Sequence, residues 1–356
     1  MEYIALKDVC RINMGQSPES SSYNEDGDGI PFFQGNADFG ERYPVTRVWC
    51  NAPTKIAYAG DILISVRAPI GALNYAKDEC CIGRGLAAIT PNLSKVSSEF
   101  IYWFLKGKNA ELNSKGTGST FKAIGRKILE ETLVPDYGFE QQHACAENLE
   151  KVYAIIQMRK QELLKLDELI KARFVEVFGD PELNPKDWEK QPLAKVITAA
   201  NNGMARRGSD EDGNIVMRLV ELQDGYIDYS STNRIILSET EKKKYLLKDK
   251  DFLFARVNGN PENVGRCAVF YDIGEPVFHN DHIIRVHFNE NDLDGPFASA
   301  LLNSEYGKRQ LRNQIKTSAG QYTVSQEGIG AIVTILPPIE VQQQFATFVT
   351  QVDKSK

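Results

Sequence analysis

Residues 140–178 read EQQHACAENLEKVYAIIQMRKQELLKLDELIKARFVEVF and contain neither glycine nor proline. Helix-favouring residues dominate this stretch, which predicts one long helix of about 60 Å. Its apolar residues recur at alternating steps of three and four, the spacing of a coiled-coil seam. Because a lone amphipathic helix is marginal in water, we expect a packing partner. The seam consists of Leu149, Val152, Ile156, Leu163, Leu166, Ile170 and Val177, with Arg159 and Arg173 at its two remaining positions.

The sequences on either side of this helix resemble each other, in the same order along the chain. The separation between matching positions grows steadily, from 187 residues (Leu6 to Leu193) to 202 residues (Pro135 to Pro337). Such an ordered series is typical of a diverged duplication. The matched pairs are 6–9 with 193–196, 60–64 with 250–254, Gly71 with Gly265, 86–89 with 283–286, Gly118 with Gly320, and 140–142 with 342–344.

Each copy has the pattern of a mixed α/β fold. Residues 61–66 and 251–257 are β-branched and aromatic, which predicts strands. Residues 98–105 open with a capping serine and predict a helix, with a counterpart that begins near Pro296. We therefore predict two duplicated domains, at 1–138 and 183–338. The helix at 139–182 separates them, and 339–356 begin a second, truncated helix of the same kind.

Composition limits the function classes. The chain has 356 residues, 42% of them hydrophobic, which suits two domains. The formal net charge is −6, so a nucleic acid would have to bind at local basic patches. The charged start resembles no targeting segment and no apolar run is long enough to span a bilayer, which predicts a cytoplasmic protein. Six scattered cysteines without a CxxC pair predict reduced, buried thiols.

The motifs of common enzymes are missing from the sequence. It contains no GxxxxGK[ST] loop and no glycine-rich loop after a strand that could hold S-adenosylmethionine. His279 and His282 have no third ligand nearby and fall on a predicted strand, so a metal site is not expected. Residues 336–339, LPPI, lack the polar and aromatic residues with which amino-methyltransferases bind a flipped base. We predict a binding protein without active site, metal or bound cofactor.

Polar loops are the candidates for contact with a binding partner, and their residue types are those that would serve a DNA partner. Arginine suits guanine, glutamine and asparagine suit adenine, and glutamate accepts from cytosine, while the remaining cations hold phosphates. In the first copy the candidates are Gln34, Asn36, Arg67, Ser119, Thr120 and Lys122, the last three in the loop 115–122. In the second copy they are Arg206, Arg207, Glu221, Gln223, Arg256, Asn258, Gln321 and Tyr322, with Arg309 and Arg312 as further cations.

Two stretches resemble the specificity subunits of type I restriction–modification systems. One is the tail of each copy, in which a glycine- and serine/threonine-containing loop precedes a strand that ends at Pro135 or Pro337. A helix then starts at 140–142 or 342–344. The other is the helix exit at 173–188, RFVEVFGDPELNPKDW, which is similar to the junction between the spacer and the second domain in that family.

The resemblance implies a non-catalytic DNA-binding subunit with two target recognition domains, each reading half of a bipartite site. Long spacer helices would set the gap between the half-sites. It also implies methyltransferase subunits that bind S-adenosylmethionine, dock on the helices and methylate adenine, and a separate restriction and translocase subunit. Candidates for docking or helix pairing are Gln141, Leu149, Val152, Ile156, Leu163, Leu166 and Ile170.

The sequence departs from the family pattern at its end. The separation of 202 residues would carry a second spacer helix to about residue 380, and we expect either that another specificity chain completes the helix pair or that a truncated product assembles poorly. A different class remains open as well, a stand-alone DNA-binding regulator without enzymatic partners. A self-contained methyltransferase would need a cofactor site that the sequence does not show.

Overall fold

The computed structural model describes residues 2–118, 122–318 and 320–356. The chain divides into two units, Met1–Arg159 and Lys160–Lys356, which we call unit 1 and unit 2. The division falls within the long helix, whereas the predicted scheme treated 139–182 as a segment of its own.

Among its described residues, unit 1 combines short strands with four α-helices and the first part of the long helix. Its strands are β1 (Tyr3–Ala5), β2 (Cys10–Met14), β3 (Tyr23–Asn24), β4 (Ile30–Phe33), β5 (Trp49–Cys50), β6 (Ile56–Ala57), β7 (Ile62–Ser65), β8 (Leu73–Tyr75), β9 (Cys80–Ile82), β10 (Leu86–Pro91) and β11 (Leu133–Pro135). Its helices are α1 (Leu6–Val9), α2 (Ser98–Gly107), α3 (Asn109–Ser114), α4 (Arg126–Glu130) and the start of α5 (Phe139–Phe178).

Unit 2 contains the end of α5 and a second set of similar elements. Its strands are β12 (Glu189–Pro192), β13 (Ile197–Asn202), β14 (Asn214–Met217), β15 (Arg234–Ile235), β16 (Phe252–Ala255), β17 (Val257–Asn258), β18 (Cys267–Val269), β19 (Val277–His279), β20 (Ile283–Phe288), β21 (Lys316–Ser318), β22 (Gln321–Thr323) and β23 (Val333–Leu336). Its helices are α6 (Glu239–Tyr245), α7 (Gly295–Leu302), α8 (Glu305–Arg312), α9 (Gln326–Gly330) and α10 (Ile339–Asp353).

The same sheet is built twice. In unit 1 an antiparallel sheet has the order β2-β10-β7-β8, and in unit 2 the order β13-β20-β16-β18 repeats it. A two-stranded ladder accompanies each, β1 with β11 and β12 with β23. Each unit also contains one parallel pair, β4 with β9 and β14 with β19. The duplication inferred from weak sequence matches is therefore a duplication of topology.

The central strands are buried on both faces, which explains their continuous apolar runs. In β7, Ile62 and Ile64 pack into one cluster with Phe100, while Leu63 packs into another with Ile82. In β16, Phe252 and Phe254 lie in one cluster and Leu253 in another. The strand predicted at 61–66 is confirmed.

The strand predicted at 251–257 is wrong in its extent. The structure ends β16 at Ala255 and begins β17 at Val257, in a different sheet. Arg256 makes the switch, since its N–H donates to the carbonyl of His282 at 2.7 Å and its carbonyl accepts from the N–H of Val324 at 2.9 Å. These partners are distant in sequence, so no local pattern could reveal the break.

The end of α5 packs against α10 within unit 2. Phe345 contacts Phe174 and Phe178, with ring centroids 5.6 and 5.4 Å apart. Farther along α10, the Arg173 guanidinium lies 5.8 Å from the centroid of the Phe348 ring. Contacts of later residues in α10 fall on earlier residues in α5, from Phe345 with Phe178 to Phe348 with Arg173. The two segments therefore run antiparallel. Among the helices of the described residues, none combines the length and hydrophobicity that a membrane span requires.

Candidate nucleic-acid interface

A matching backbone frame lies at the end of the central strand in each unit. In unit 1, Val66 N–H donates to the carbonyl of Gly85 at 2.9 Å, and Val66 C=O accepts from Ile124 N–H at 2.9 Å. In unit 2 the same two bonds join Arg256 to His282 and Val324. We call this arrangement the strand-end frame. It brings the segment after the central strand beside Thr117 and Ala123 in unit 1, and beside Lys316 and Thr323 in unit 2.

Several predicted residues of unit 1 lie at this frame. The carbonyl of Gln34 accepts from Gly85 N–H at 3.1 Å, so the exposed Gln34 side chain is close to the strand end. Exposed Arg67 forms an isolated bridge with Ala123, and Lys122 C=O accepts from Ala68 N–H at 3.1 Å. Asn36 begins a short 3-10 helix at Asn36–Asp38 and is half-buried. Ser119 and Thr120 lie outside the described residues.

The frame of unit 2 gathers more of the predicted residues. Asn258 pairs with Tyr322 across β17 and β22, and Gln321 begins β22. A terminal nitrogen of Arg256 donates to the Asp281 carbonyl at 3.1 Å, which places its guanidinium beside the turn at 280–282.

Arg207 reaches the same turn, where its guanidinium lies 2.8 Å from the Asp281 carboxylate and 3.0 Å from His282 Nε2. Arg206 turns instead to α6, where it forms an ion pair with Glu241 at 3.3 Å. Of the two adjacent arginines, Arg207 therefore lies at the frame.

A cavity of about 320 Å³ opens at the unit 2 frame. Its lining includes cations, amides and one carboxylate, from segments far apart in sequence. The polar side chains that line it include Asn202, Arg256, Lys316, Thr323, Gln326 and Glu327.

Two predicted residues lie away from this cavity. Glu221 is only 3% exposed, and its carboxylate accepts hydrogen bonds from the backbone N–H of Arg218 at 2.6 Å and from Arg218 Nε at 2.9 Å. Its oxygens are thus engaged within the fold rather than presented to a base. Gln223 accepts from Arg266 at 3.3 Å, in a cluster with Asp224.

The further cations considered in unit 2, Arg309 and Arg312, are paired with Glu182 at 2.9 Å and Glu262 at 2.5 Å. Each therefore has its charge matched by a neighbouring carboxylate at the surface.

The two histidines considered as metal ligands have different surroundings. His279 is fully buried on β19, its Nδ1 lies 3.1 Å from the carbonyl of Tyr245, and burial lowers its pKa to about 4. Burial also lowers the pKa of His282, although Asp281 opposes that shift. Within residues 2–118, 122–318 and 320–356, no group of three or more His, Cys, Asp or Glu could hold a metal ion.

The cysteines are free thiols. Five are buried, and burial raises the pKa of Cys10 and that of Cys80 to about 12. Such thiols stay protonated at neutral pH and are poor nucleophiles.

Of the residues that line the cavity, the sequence candidates include only Arg256, and the polar residues that were missed include Asn202, Lys316 and Gln326. The pairing of Lys316 with Thr323 in unit 2 matches the pairing of Thr117 with Ala123 in unit 1. Lys316 therefore lies in the segment of unit 2 that corresponds to Thr117. Extending the internal repeat through that loop would have found Lys316. Gln326 Nε2 donates to Asn202 Oδ1 at 3.1 Å across 124 positions of sequence, and no local signal predicts that contact.

The predicted docking seam on α5 is partly covered. Ile170 and Val177 pack against the unit 2 core, and Leu166 is half-buried. Gln141 is exposed at the start of the helix. The side chains of Leu149, Val152, Ile156 and Leu163 are 40–53% exposed.

Known proteins are similar to this chain over both units. The family model of the type I restriction modification DNA specificity domain matches residues 1–168 and 185–356. The MjaX specificity subunit of Methanocaldococcus jannaschii is 42% identical over 158 residues, which make up 44% of this chain and 37% of the relative. The specificity subunit of the type I restriction enzyme StySPI from Salmonella potsdam is 26% identical over 288 residues, 77% of this chain and 62% of the relative.

One solved structure is similar over almost the full chain. The S subunit of the type I restriction-modification system from M. genitalium covers 99% of this chain and 89% of its own, with a TM-score of 0.56 and 14% identity. At that identity the similarity concerns the fold. The chain spans between 37% and 62% of the length of the two curated relatives described above.

Proposed function

The chain belongs to the type I restriction modification DNA specificity family, and from that membership we propose that it is the sequence reader of a restriction–modification complex. In this role it binds double-stranded DNA and performs no chemistry itself. The observation that carries the proposal is the doubled specificity domain, at residues 1–168 and 185–356. Two readers on one chain suit a bipartite target, with one half-site for each unit.

The local charges support DNA binding despite the net charge of −6. Arg256 and Lys316 line the unit 2 cavity. In unit 1, Arg67 and Lys122 lie at the corresponding strand end. Cations at such positions can contact phosphates and base edges.

Partners supply the chemistry in this proposal. A methyltransferase subunit that binds S-adenosylmethionine would methylate adenine at the sites that the chain selects, and a restriction and translocase subunit would act on unmodified DNA. The exposed seam residues Leu149, Val152, Ile156 and Leu163 form an apolar strip suited to a partner helix. That helix would belong either to a methyltransferase subunit or to a second specificity chain that extends the helix pairing of unit 2.

An adenine-methylation map of the host genome, with and without the gene, tests the proposal. We expect one bipartite methylated motif to disappear when the gene is removed, and both half-sites are then known. An unchanged map would contradict the proposed role and favour a stand-alone DNA-binding regulator built from the same domains.

A further inference from the structure

The strand-end frame carries different side chains in the two units. Its hydrogen bonds and strand pairings match, so each position of unit 2 has a counterpart in unit 1. The polar residues of the unit 2 cavity replace mostly apolar or small ones. Asn202 corresponds to Met14, Arg256 to Val66, Lys316 to Thr117 and Gln326 to Arg126.

An amide pair lies in the cavity of unit 2. Gln326 Nε2 donates to Asn202 Oδ1 at 3.1 Å, so the amides fix each other's orientation. In the part of the chain that the structure describes, no hydrogen bond engages Asn202 Nδ2 or Gln326 Oε1. The pair therefore offers a free donor group, Asn202 Nδ2, and a free acceptor, Gln326 Oε1, the combination that matches the N7 and N6 groups of adenine in the major groove.

Two cations flank this pair. Arg256 is half-buried and one of its nitrogens is anchored on the Asp281 carbonyl, which fixes the guanidinium at the cavity. Lys316 is exposed on the hairpin formed by β21 and β22. A base edge needs both donors and acceptors, whereas a phosphate needs donors alone. Because Glu327 also lines the cavity, its interior suits a base edge better than a phosphate.

We propose that this cavity is the base-reading subsite of unit 2, in which Asn202 and Gln326 bind one base edge and Lys316 binds a neighbouring phosphate. This assignment rests on the proposed DNA-reading function and names the residues that determine the second half-site. The corresponding positions of unit 1 carry other side chains and read another sequence.

Selection from a library of random-sequence DNA duplexes with the full chain tests the assignment. The wild-type chain enriches a bipartite motif. Asn202→Ala and Gln326→Ala each relax one position in one half of that motif, with about a tenfold loss of discrimination there. The other half stays unchanged, which serves as an internal control for folding, together with the thermal unfolding midpoint.

Lys316→Gln separates the phosphate contact from base reading. We expect weaker binding to all sequences alike, and a slope of log affinity against log salt that is smaller by about 0.9. The matched control is Lys354→Gln, which removes the same charge from the exposed end of α10 and leaves motif and slope unchanged.

The outcomes distinguish a failure of the proposed DNA-reading function from a failure of the base-reading assignment. A wild-type chain that enriches no motif overturns the DNA-reading function and this assignment with it. A wild-type motif that both amide variants preserve in full overturns the assignment alone.

Discussion

At the scale of single residues, Arg42 connects the body of unit 1 to α5. Its guanidinium lies 5.6 and 5.1 Å from the ring centroids of Tyr75 and Tyr102. Its two terminal nitrogens donate to Glu150 at 3.0 and 2.9 Å. Trp103 Nε1 donates to the same carboxylate at 3.2 Å. Arginine suits this place because a planar guanidinium can stack on rings and bind a carboxylate with two parallel bonds.

We expect Arg42→Ala to destabilise the protein by about 1–2 kcal/mol, through loss of the stacked and paired guanidinium. The effect is modest because Glu150 is partly exposed and the ion pair is screened by solvent. Chemical unfolding measures it, with Arg47→Ala as the control at an exposed arginine of the same unit. Equal losses in both variants would refute a special role for Arg42.

His279 gives unit 2 a pH-dependent stability. Its pKa falls from 6.5 to about 4 on folding, chiefly through burial, so the unfolded chain binds the proton more readily. Stability from this group is complete above pH 6.5 and is lost as the pH falls towards 4, by about 3 kcal/mol in all.

His279→Asn keeps a donor for the Tyr245 carbonyl and removes the titration. We expect the variant to lose less unfolding free energy than wild type between pH 6.5 and 4, when denaturant unfolding is measured across that range. Parallel curves for His279→Asn and wild type would show that the buried histidine does not titrate in this way.

At the scale of elements, one buried glutamine in the first turn of α5, and another in the first turn of α10, hydrogen-bond to the unit from which the helix continues. Gln142, in the first turn of α5, accepts from Ser97 N–H and donates to the Tyr137 carbonyl, both at 2.7 Å. Gln342, in the first turn of α10, accepts from Asp294 N–H at 2.9 Å and donates to the Pro337 carbonyl at 2.7 Å. Ser97 and Asp294 are themselves the N-caps of α2 and α7. Each glutamine thus fixes where two helices begin.

Gln142→Leu should cost about 2–4 kcal/mol, because a buried N–H and a buried carbonyl lose their partners. The adjacent, exposed Gln141→Leu is the matched control and should change the unfolding free energy by no more than about 0.5 kcal/mol. A small effect of Gln142→Leu would mean that water or a backbone shift satisfies the two groups.

The exposed seam of α5 makes a prediction about assembly. Ile156→Glu places a charge on the apolar strip and should abolish co-purification of the chain with a methyltransferase subunit. Met158→Glu makes the same kind of change at an exposed position of α5 outside the seam, and should leave the complex intact. Retention of the complex by Ile156→Glu would exclude the seam as the docking surface.

The elements also show what sequence patterns can and cannot predict. The apolar run at 61–66 and the glycine-free stretch at 140–178 carry their own signals, and the structure has β7 and α5 there. At Arg256 the chain passes from one sheet to another, and Asn202 pairs with Gln326. Both features depend on contacts between residues that are far apart in sequence. Glu221 was expected at DNA because its residue type suits cytosine, but its pairing with Arg218 in the folded chain is invisible in composition.

At the scale of the whole molecule, the number of residues in α5 should determine the gap in the recognised site. Deleting residues 157–163 removes one heptad and preserves the seam register. It shortens the helix by about 10 Å, which corresponds to about 3 base pairs at 3.4 Å each. We expect a methylation map with a spacer shorter by about 3 base pairs. Inserting a heptad should lengthen it equally, and an unchanged spacer in both variants would refute the idea.

The strand-end frame allows side chains around it to change without a change in the fold. Its bonds are formed by backbone N–H and C=O groups, which nearly every residue type provides. Exposed positions beside the frame, such as the matching positions 126 and 326, can therefore carry arginine in one unit and glutamine in the other while the frame persists. From the proposed base-reading role, we expect a new target sequence to require substitutions at a few exposed positions beside the frame, with little effect on the stability of the unit.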